Sequence, residues 1–416
     1  MRYIDQFRGL PKQVYVLCGT KAILGISSMS FSISTLLMRS VLGMDQFIIG
    51  IIVSGLALTG VVFSVLGGRL SDLYGRKKVT TAMYICLCIT LFISSLVCRT
   101  KVIIPFLFIN NAFSSAAKPG EAAMVADALE GTGRREGFSL MYLSHNLGIA
   151  FGPAIGGMLF YSHMTWVYRV QIIFISLALI VFITCTKDIY DPALARIKAS
   201  YGNLNAEERR NNGGESLARV VLDRPILLVF FMAMILITMC YQMVSFMLNM
   251  QLNDSFGLEV AAKYSGFVWT VNAATIVLLT PFIVDRIKGL HQYQKMVIGG
   301  VFYAVGFGSY MFVRRPAMVL VFAVVWSVGE IIIATDSAGF IADHSPASHV
   351  ARCQSLYETS RYAGRACAPM LYGYLLSFIT YKQAWGLNAC MCIALSAGML
   401  VAFLKLVRGK PEERNN

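Results

Sequence analysis

Along this chain apolar residues come in blocks of about twenty, divided by short polar stretches. About twenty residues at ~1.5 Å each cross the ~30 Å of bilayer hydrocarbon, so each block predicts a membrane helix. Twelve blocks are legible, near 14–38, 46–67, 79–98, 102–126, 138–161, 166–186, 225–248, 264–284, 296–313, 317–342, 353–378 and 384–405. No block is dominated by a period of two, which argues against a barrel. Arg2, Asp5, Arg8 and Lys12 precede a long apolar run with no clear A-x-A-like site. The first block therefore reads as a retained helix and not a cleaved signal peptide.

The longest polar stretch, 187–223, contains "AEERRNNGGES" and reads as a solvated linker. It divides the blocks six and six: an N-terminal bundle over 1–186, a cytoplasmic linker over 187–223 and a C-terminal bundle over 224–416. The halves are related. A shift of 216 residues lays "SLMYLSHNLGIAFGPAIGGMLF" (139–160) over "SLYETSRYAGRACAPMLYGYLL" (355–376), with eight of 22 positions identical, and pairs Ala126-Asp127 with Ala342-Asp343. Six spans separate the copies, so both insert the same way. Parallel six-helix halves around an axis along the membrane normal place a substrate path between them, near the midplane.

Composition agrees with a membrane protein: 56% hydrophobic and 14% charged, against about 25% charged in soluble domains. The net charge of +14 follows from topology and needs no nucleic acid. With the N-terminus inside, inner segments hold 24 of the 36 Lys and Arg residues and outer segments eight, which places both termini in the cytoplasm. The ten cysteines lie mostly in apolar blocks and form no C-x-x-C pair. They read as small buried hydrophobes and hold no metal.

"GGRLSDLYGRKK", 67–78, interrupts the apolar pattern between the second and third blocks. A phosphate-binding loop needs G-x-x-x-x-G-K-[ST] between a strand and a helix. Here Gly75 precedes Arg-Lys-Lys, with no Ser or Thr after the lysine. Gly68, Leu70, Asp72, Gly75, Arg76 and Lys77 instead resemble the loop signature of the major facilitator superfamily, G-x-L-a-D-r-x-G-r-k, with Leu73 departing where a base is common. "PFIVDRIKG" at 281–289, with Asp285 and Arg286, looks like an eroded counterpart. The resemblance spans essentially the whole chain and implies a conformational latch. Asp72 would face the N-terminus of helix 11, where a carboxylate is favoured, and Arg76 would pair with Asp127.

"GIAFGPAIGG", 148–157, resembles the fifth-helix signature g-x-x-x-G-P-x-x-G-G of the superfamily's antiporters through Gly148, Gly152, Pro153, Gly156 and Gly157. Glycines 148, 152 and 156 form one stripe that lets a neighbouring helix approach closely, and Pro153 bends its helix. A tight, bent gasket between the halves suits an exporter. The fourth-helix arginine often found in that subclass is missing. Asn110, Asn111 and Lys118 are the stand-ins, and the first helix carries Lys21 but no carboxylate.

Ionisable groups at membrane depth are expensive and are functional candidates by default. Depth counted from the helix ends matches Glu121 with His145, Asp336 with Arg361 and Glu330 with Arg365, while Glu358, Arg361 and Arg365 share one side of helix 11. Proton coupling is expected through Glu121, with His145, and through Glu330 or Asp336. The competing reading is that these pairs only staple helices together. Tyr142, Phe151, Tyr241, Met243, Phe246, Trp269 and Trp326 are candidates for an apolar pocket, although packing is the better account of any single one of them.

The expectation is an all-α integral membrane protein with twelve transmembrane helices in two pseudo-symmetric six-helix bundles, the major facilitator fold. Its expected function is secondary active transport by alternating access: proton-coupled efflux of small amphipathic compounds or drugs. Export, flipping or import of one specific metabolite or lipid stays open, as does a membrane sensor. Five scattered histidines supply no enzymatic constellation. The expected partners are a small-molecule substrate, protons and the lipid bilayer, with no nucleic acid, cofactor or metal, for a monomer in a bacterial cytoplasmic membrane.

Overall fold

The computed structural model describes residues 7–30, 32–129, 133–189, 217–345 and 350–408. Most of the linker predicted at 187–223 lies outside these residues. Among the described residues all regular structure is helical. The long helices are α1 (Lys12–Ile26), α2 (Gln46–Tyr74), α3 (Arg76–Val97), α4 (Ile103–Ala128), α5 (Arg134–Ile149), α6 (Gly152–Cys185), α7 (Pro225–Phe256), α8 (Leu258–Arg286), α9 (Gln292–Gly308), α10 (Met318–His344), α11 (Val350–Leu375) and α12 (Tyr381–Arg408). Backbone groups facing hydrocarbon must be satisfied within their own segment, and a helix does this.

Three local features depart from a plain reading of the blocks. The first block is not one continuous helix. The Ser27 and Ser28 hydroxyls donate back to the Leu24 and Gly25 carbonyls at 2.7 and 2.6 Å, competing with the backbone ladder. The chain then passes through a 3-10 turn at Ser28–Ser30 and a π turn at Leu37–Val41.

The stretch 67–78 is almost entirely helical, because α2 runs to Tyr74 and α3 starts at Arg76. The joint is Gly75 alone, at φ +99°, a conformation other residues reach only with strain.

The 50 residues from Glu136 to Cys185 form one apolar run that would extend ~75 Å, more than twice the hydrocarbon thickness. It reverses at His163, whose φ of −137° and ψ of 52° are non-helical. Before that point Gly148, Gly152 and Gly156 meet Ala22, Ile26 and Met29 in turn, so α5 and the start of α6 run parallel to α1. After it, Thr165 meets Cys98 and Ser176 meets Cys88, so the second limb of α6 runs antiparallel to α3.

Among the described residues, eight stretches are long and apolar enough to cross a membrane by length and composition. α1, α4 and α11 are not among them. α1 has only 15 residues, whereas α4 carries Lys118, Glu121 and Asp127, and α11 carries Glu358, Arg361 and Arg365, which lower their hydropathy.

The chain divides into two compact units, one of 1–44, 55–214 and 252–277, the other of 45–54, 215–251 and 278–416. The first has a core of Val14, Leu17, Cys18, Met124, Val125, Leu129 and Phe182. The second is held by aromatics. Trp326 donates to the Tyr310 hydroxyl at 2.9 Å, Trp385 donates to Gln251 at 2.7 Å, and Gln251 donates to the Tyr310 carbonyl at 3.1 Å. These bonds satisfy the polar tips of large side chains that pack inside the unit.

Candidate functional site

The joint between α2 and α3 is tied to two other helices of its unit. Arg76 forms an ion pair with Asp127 near the end of α4 and donates to the Ala123 carbonyl at 2.7 Å. The expected Arg76–Asp127 contact is present. Lys77 donates through Nζ to the Ile183 and Thr186 carbonyls at 2.7 and 2.5 Å, and its backbone N–H reaches Asp188 at 2.9 Å. It thereby caps the C-terminal end of α6, whose last carbonyls have no helical partner. Asp188 was invisible to the motif, because nothing in sequence links position 188 to position 77. Gly68 faces the ring of Pro119. The partner expected for Asp72, the start of α11, adjoins 346–349, outside the described residues.

The glycines of 148–157 serve two neighbours. Gly148, Gly152 and Gly156 lie against the α1 backbone from Ala22 to Met29, where an added Cβ would collide with main-chain atoms. The other side of the motif meets α8: Gly157 faces the Ala262 carbonyl, and Gly266 faces the Pro153 carbonyl. The stripe inferred from spacing is thus an α1–α5/α6 seam, and the contact with α8 comes from Pro153 and Gly157. Helical geometry lapses at Ala150–Phe151, just before Pro153, which has no N–H to give.

In the first unit Glu121 is buried, and its two oxygens accept from Lys21 on α1 and from the Tyr84 hydroxyl on α3. One carboxylate thus joins α1, α3 and α4. His145 is not a hydrogen-bond partner of Glu121. Its Nδ1 is buried without a hydrogen bond, and its ring lies near the Lys21 backbone and the Lys21 and Lys118 ammonium groups. Depth matched Glu121 with His145, but depth alone does not fix which face of α5 points at α4. Tyr84 carried no signal, since a lone tyrosine in an apolar helix looks like packing. A void no larger than a water molecule adjoins the pair, bounded by Leu17, Lys21, Glu121 and Phe182.

In the second unit Asp336 pairs with Lys295 on α9 at 2.9 Å, both side chains largely covered. Its other oxygen is buried without a hydrogen bond. Depth had matched Asp336 with Arg361, and charge counting had placed Lys295 in an inner loop, yet Lys295 stands in the first turn of α9. Arg361 contacts Glu358 at 3.3 Å and lies 5.5 Å from the Tyr357 ring centroid. Glu330 accepts from Tyr241 at 3.3 Å, and Tyr241 stands edge-on to Trp326. Arg365 lies 6.0 Å from the Tyr362 ring. Of the proposed pocket residues, Met243, Phe246, Trp269 and Trp326 are buried in packing, whereas Tyr142 and Phe151 are exposed. Asn110 donates to Ser94 at 2.9 Å and Asn111 to the Leu56 carbonyl at 2.6 Å, so both staple helices. Asp285, from the weaker loop motif, pairs with Lys288 at an exposed site. Among the described residues no group of three His, Cys, Asp or Glu could hold a metal ion.

These features have counterparts in known proteins. The sequence model of the Major Facilitator Superfamily matches residues 16–335 and 295–416. The MFS-type transporter YqjV of Bacillus subtilis (strain 168) is 22% identical over 311 residues, covering 74% of this chain and 72% of YqjV. Quinolone resistance protein NorA of Staphylococcus aureus (strain MRSA252) is 27% identical over 152 residues, 36% of this chain and 38% of NorA. Among solved structures, a peptide transporter POT in complex with sulfate matches with a TM-score of 0.74 at 18% identity, over 97% of this chain and 96% of that one. The likeness extends to fold and is all-α throughout. The chain is a multi-pass membrane transporter and not an enzyme, and it belongs to the Major Facilitator Superfamily.

Proposed function

We propose that this transporter exports small amphipathic compounds in exchange for protons, with Glu121 as the coupling carboxylate. The observation that carries the reading is the cluster of Glu121 with Lys21 and Tyr84. An ion pair at membrane depth is costly to break on one side only. A proton on Glu121 removes the charge that holds Lys21, and α1 is released from α4. α1 is the helix broken after Ile26 and seated on the Gly148–Gly156 seam, so the strap acts on a segment with a hinge. Arg76–Asp127 acts as the latch at the cytoplasmic face, with both termini on that side of a bacterial membrane. A contact of about 1–3 kcal/mol biases such a two-state equilibrium without freezing it. The likeness to NorA over 152 residues and the 148–157 signature support efflux over uptake.

The test is transport in proteoliposomes under an imposed pH gradient, screened over lipophilic dyes. Wild type should drive efflux uphill, and Glu121→Gln should retain only downhill, pH-independent flux. Uphill transport by Glu121→Gln would refute coupling through this residue.

A further inference from the structure

At depth in the second unit the charges are matched unevenly. Asp336 is taken by Lys295, and Glu330 accepts from Tyr241. Arg361 stands between two carboxylates, in contact with Glu358 at 3.3 Å and within electrostatic reach of Glu330. Arg365, four residues on and therefore on the same face of α11, has no carboxylate within ion-pair distance among the described residues. Its neighbours are the Tyr362 ring at 6.0 Å, Tyr241, the like charge of Arg361 and, without ion-pair contact, Glu358, which Arg361 already holds. A guanidinium has five N–H donors and no acceptor, and it does not give up its proton. A guanidinium without a contacting anion at membrane depth is expensive unless something else supplies one. Arg365 is partly accessible and not sealed in the core, so an incoming group can reach it.

We infer that Arg365 is the recognition point for an oxyanion head group, a carboxylate or a phosphate, on an amphipathic substrate. A planar guanidinium meets either head group through two parallel hydrogen bonds, and Tyr241 and Tyr362 offer ring surface to the adjoining carbon chain. This rests on the transporter reading above and narrows its substrate class to acidic amphiphiles.

Equilibrium binding to the purified full-length protein in zwitterionic nanodiscs tests the inference, with no pH gradient present. The probes are a dansyl-labelled alkyl carboxylate, its methyl ester, the corresponding alkyl phosphate and a trimethylammonium analogue. Wild type should bind the carboxylate or the phosphate about tenfold more tightly than the ester or the cation. Which of the two acids binds better assigns the head group. Arg365→Gln should weaken the preferred acid by about tenfold or more and leave the ester unchanged, and Arg365→Lys should keep part of the preference. Tighter binding of the cation by wild type overturns the inference, as does an Arg365→Gln variant that loses acid and ester equally. Should Arg365→Gln fail to fold, the wild-type ranking of the four probes and Arg365→Lys decide alone. Because binding is read without a gradient, loss of proton coupling in the efflux assay leaves this result standing, and the reverse also holds.

Discussion

In the first unit the Pro153 carbonyl faces Gly266 and Gly157 faces Ala262. Each of these positions, moved by 216 residues, reappears in the second unit, where the Pro369 carbonyl faces Gly50 and Gly373 faces Gln46. The close helix crossings of the two copies are the same. Their charges are not. Lys21, Tyr84 and Glu121 correspond to Ile237, Gly300 and Ser337, and the void beside Lys21 and Glu121 has an uncharged counterpart bounded by Met234, Ile237, Gly300 and Ser396. Conversely, Lys295 and Asp336 correspond to Val79 and Gly120, and Gly120 leaves no room for a side chain beside Thr80. Each copy thus carries a buried ion pair where the other has small or apolar residues. Packing geometry is repeated because both copies must solve the same crossing problem. Charge is free to diverge, because an ion pair need only be matched within its own copy.

The largest expected effect comes from breaking the first pair on one side. Lys21→Met leaves Glu121 buried without its cation and should cost about 3–5 kcal/mol of stability, read as a lowered unfolding temperature in detergent. Installing the second copy's residues, Lys21→Ile with Glu121→Ser, should recover much of that stability while abolishing pH-driven transport. If the double variant transports like wild type, the pair is only a staple.

Next in size is the mirror exchange. Lys295→Met should destabilise by about 2–4 kcal/mol, slightly less because both partners keep some exposure. Lys295→Val with Asp336→Gly should restore part of the loss. Third, the repeated crossings should respond alike: Gly157→Ala and Gly373→Ala each add a methyl against backbone and should cost about 1–3 kcal/mol. A large loss at only one of them would show that the two crossings are not equivalent. The smallest effect belongs to the exposed Asp285–Lys288 pair, where Asp285→Asn should shift stability by less than ~0.5 kcal/mol.

Much of the fold was legible in advance. Blocks of about twenty apolar residues leave the backbone one economical solution in lipid, and 139–160 and 355–376 carried the repeat openly. The site was legible only in part. Arg76–Asp127 followed from the loop signature, but Asp188, Tyr84 and the membership of Lys295 in a buried pair did not. Counting depth from helix ends named other partners for Glu121 and Asp336 than the lysines they contact. A helix has several faces at each level, and rotation about its axis is set by packing against its neighbours. The stretch 67–78 reads as a loop in sequence for a related reason. Four bases and three glycines resemble a turn, yet α2 needs only Gly75 to end it.

By itself, then, the sequence determined what hydropathy, spacing and motif encode along one dimension: an all-α membrane chain, its superfamily, and an inventory of charges within its apolar blocks. The tertiary structure alone decided which charges meet. Lys21 reaches Glu121 because the Gly148–Gly156 seam lets α1 lie close to the helices beside it, and Lys295 reaches Asp336 because α9 and α10 pack side by side. An ion pair depends on a few ångströms of separation in three dimensions, and that separation follows from helix rotation and crossing, which no single segment of the chain records.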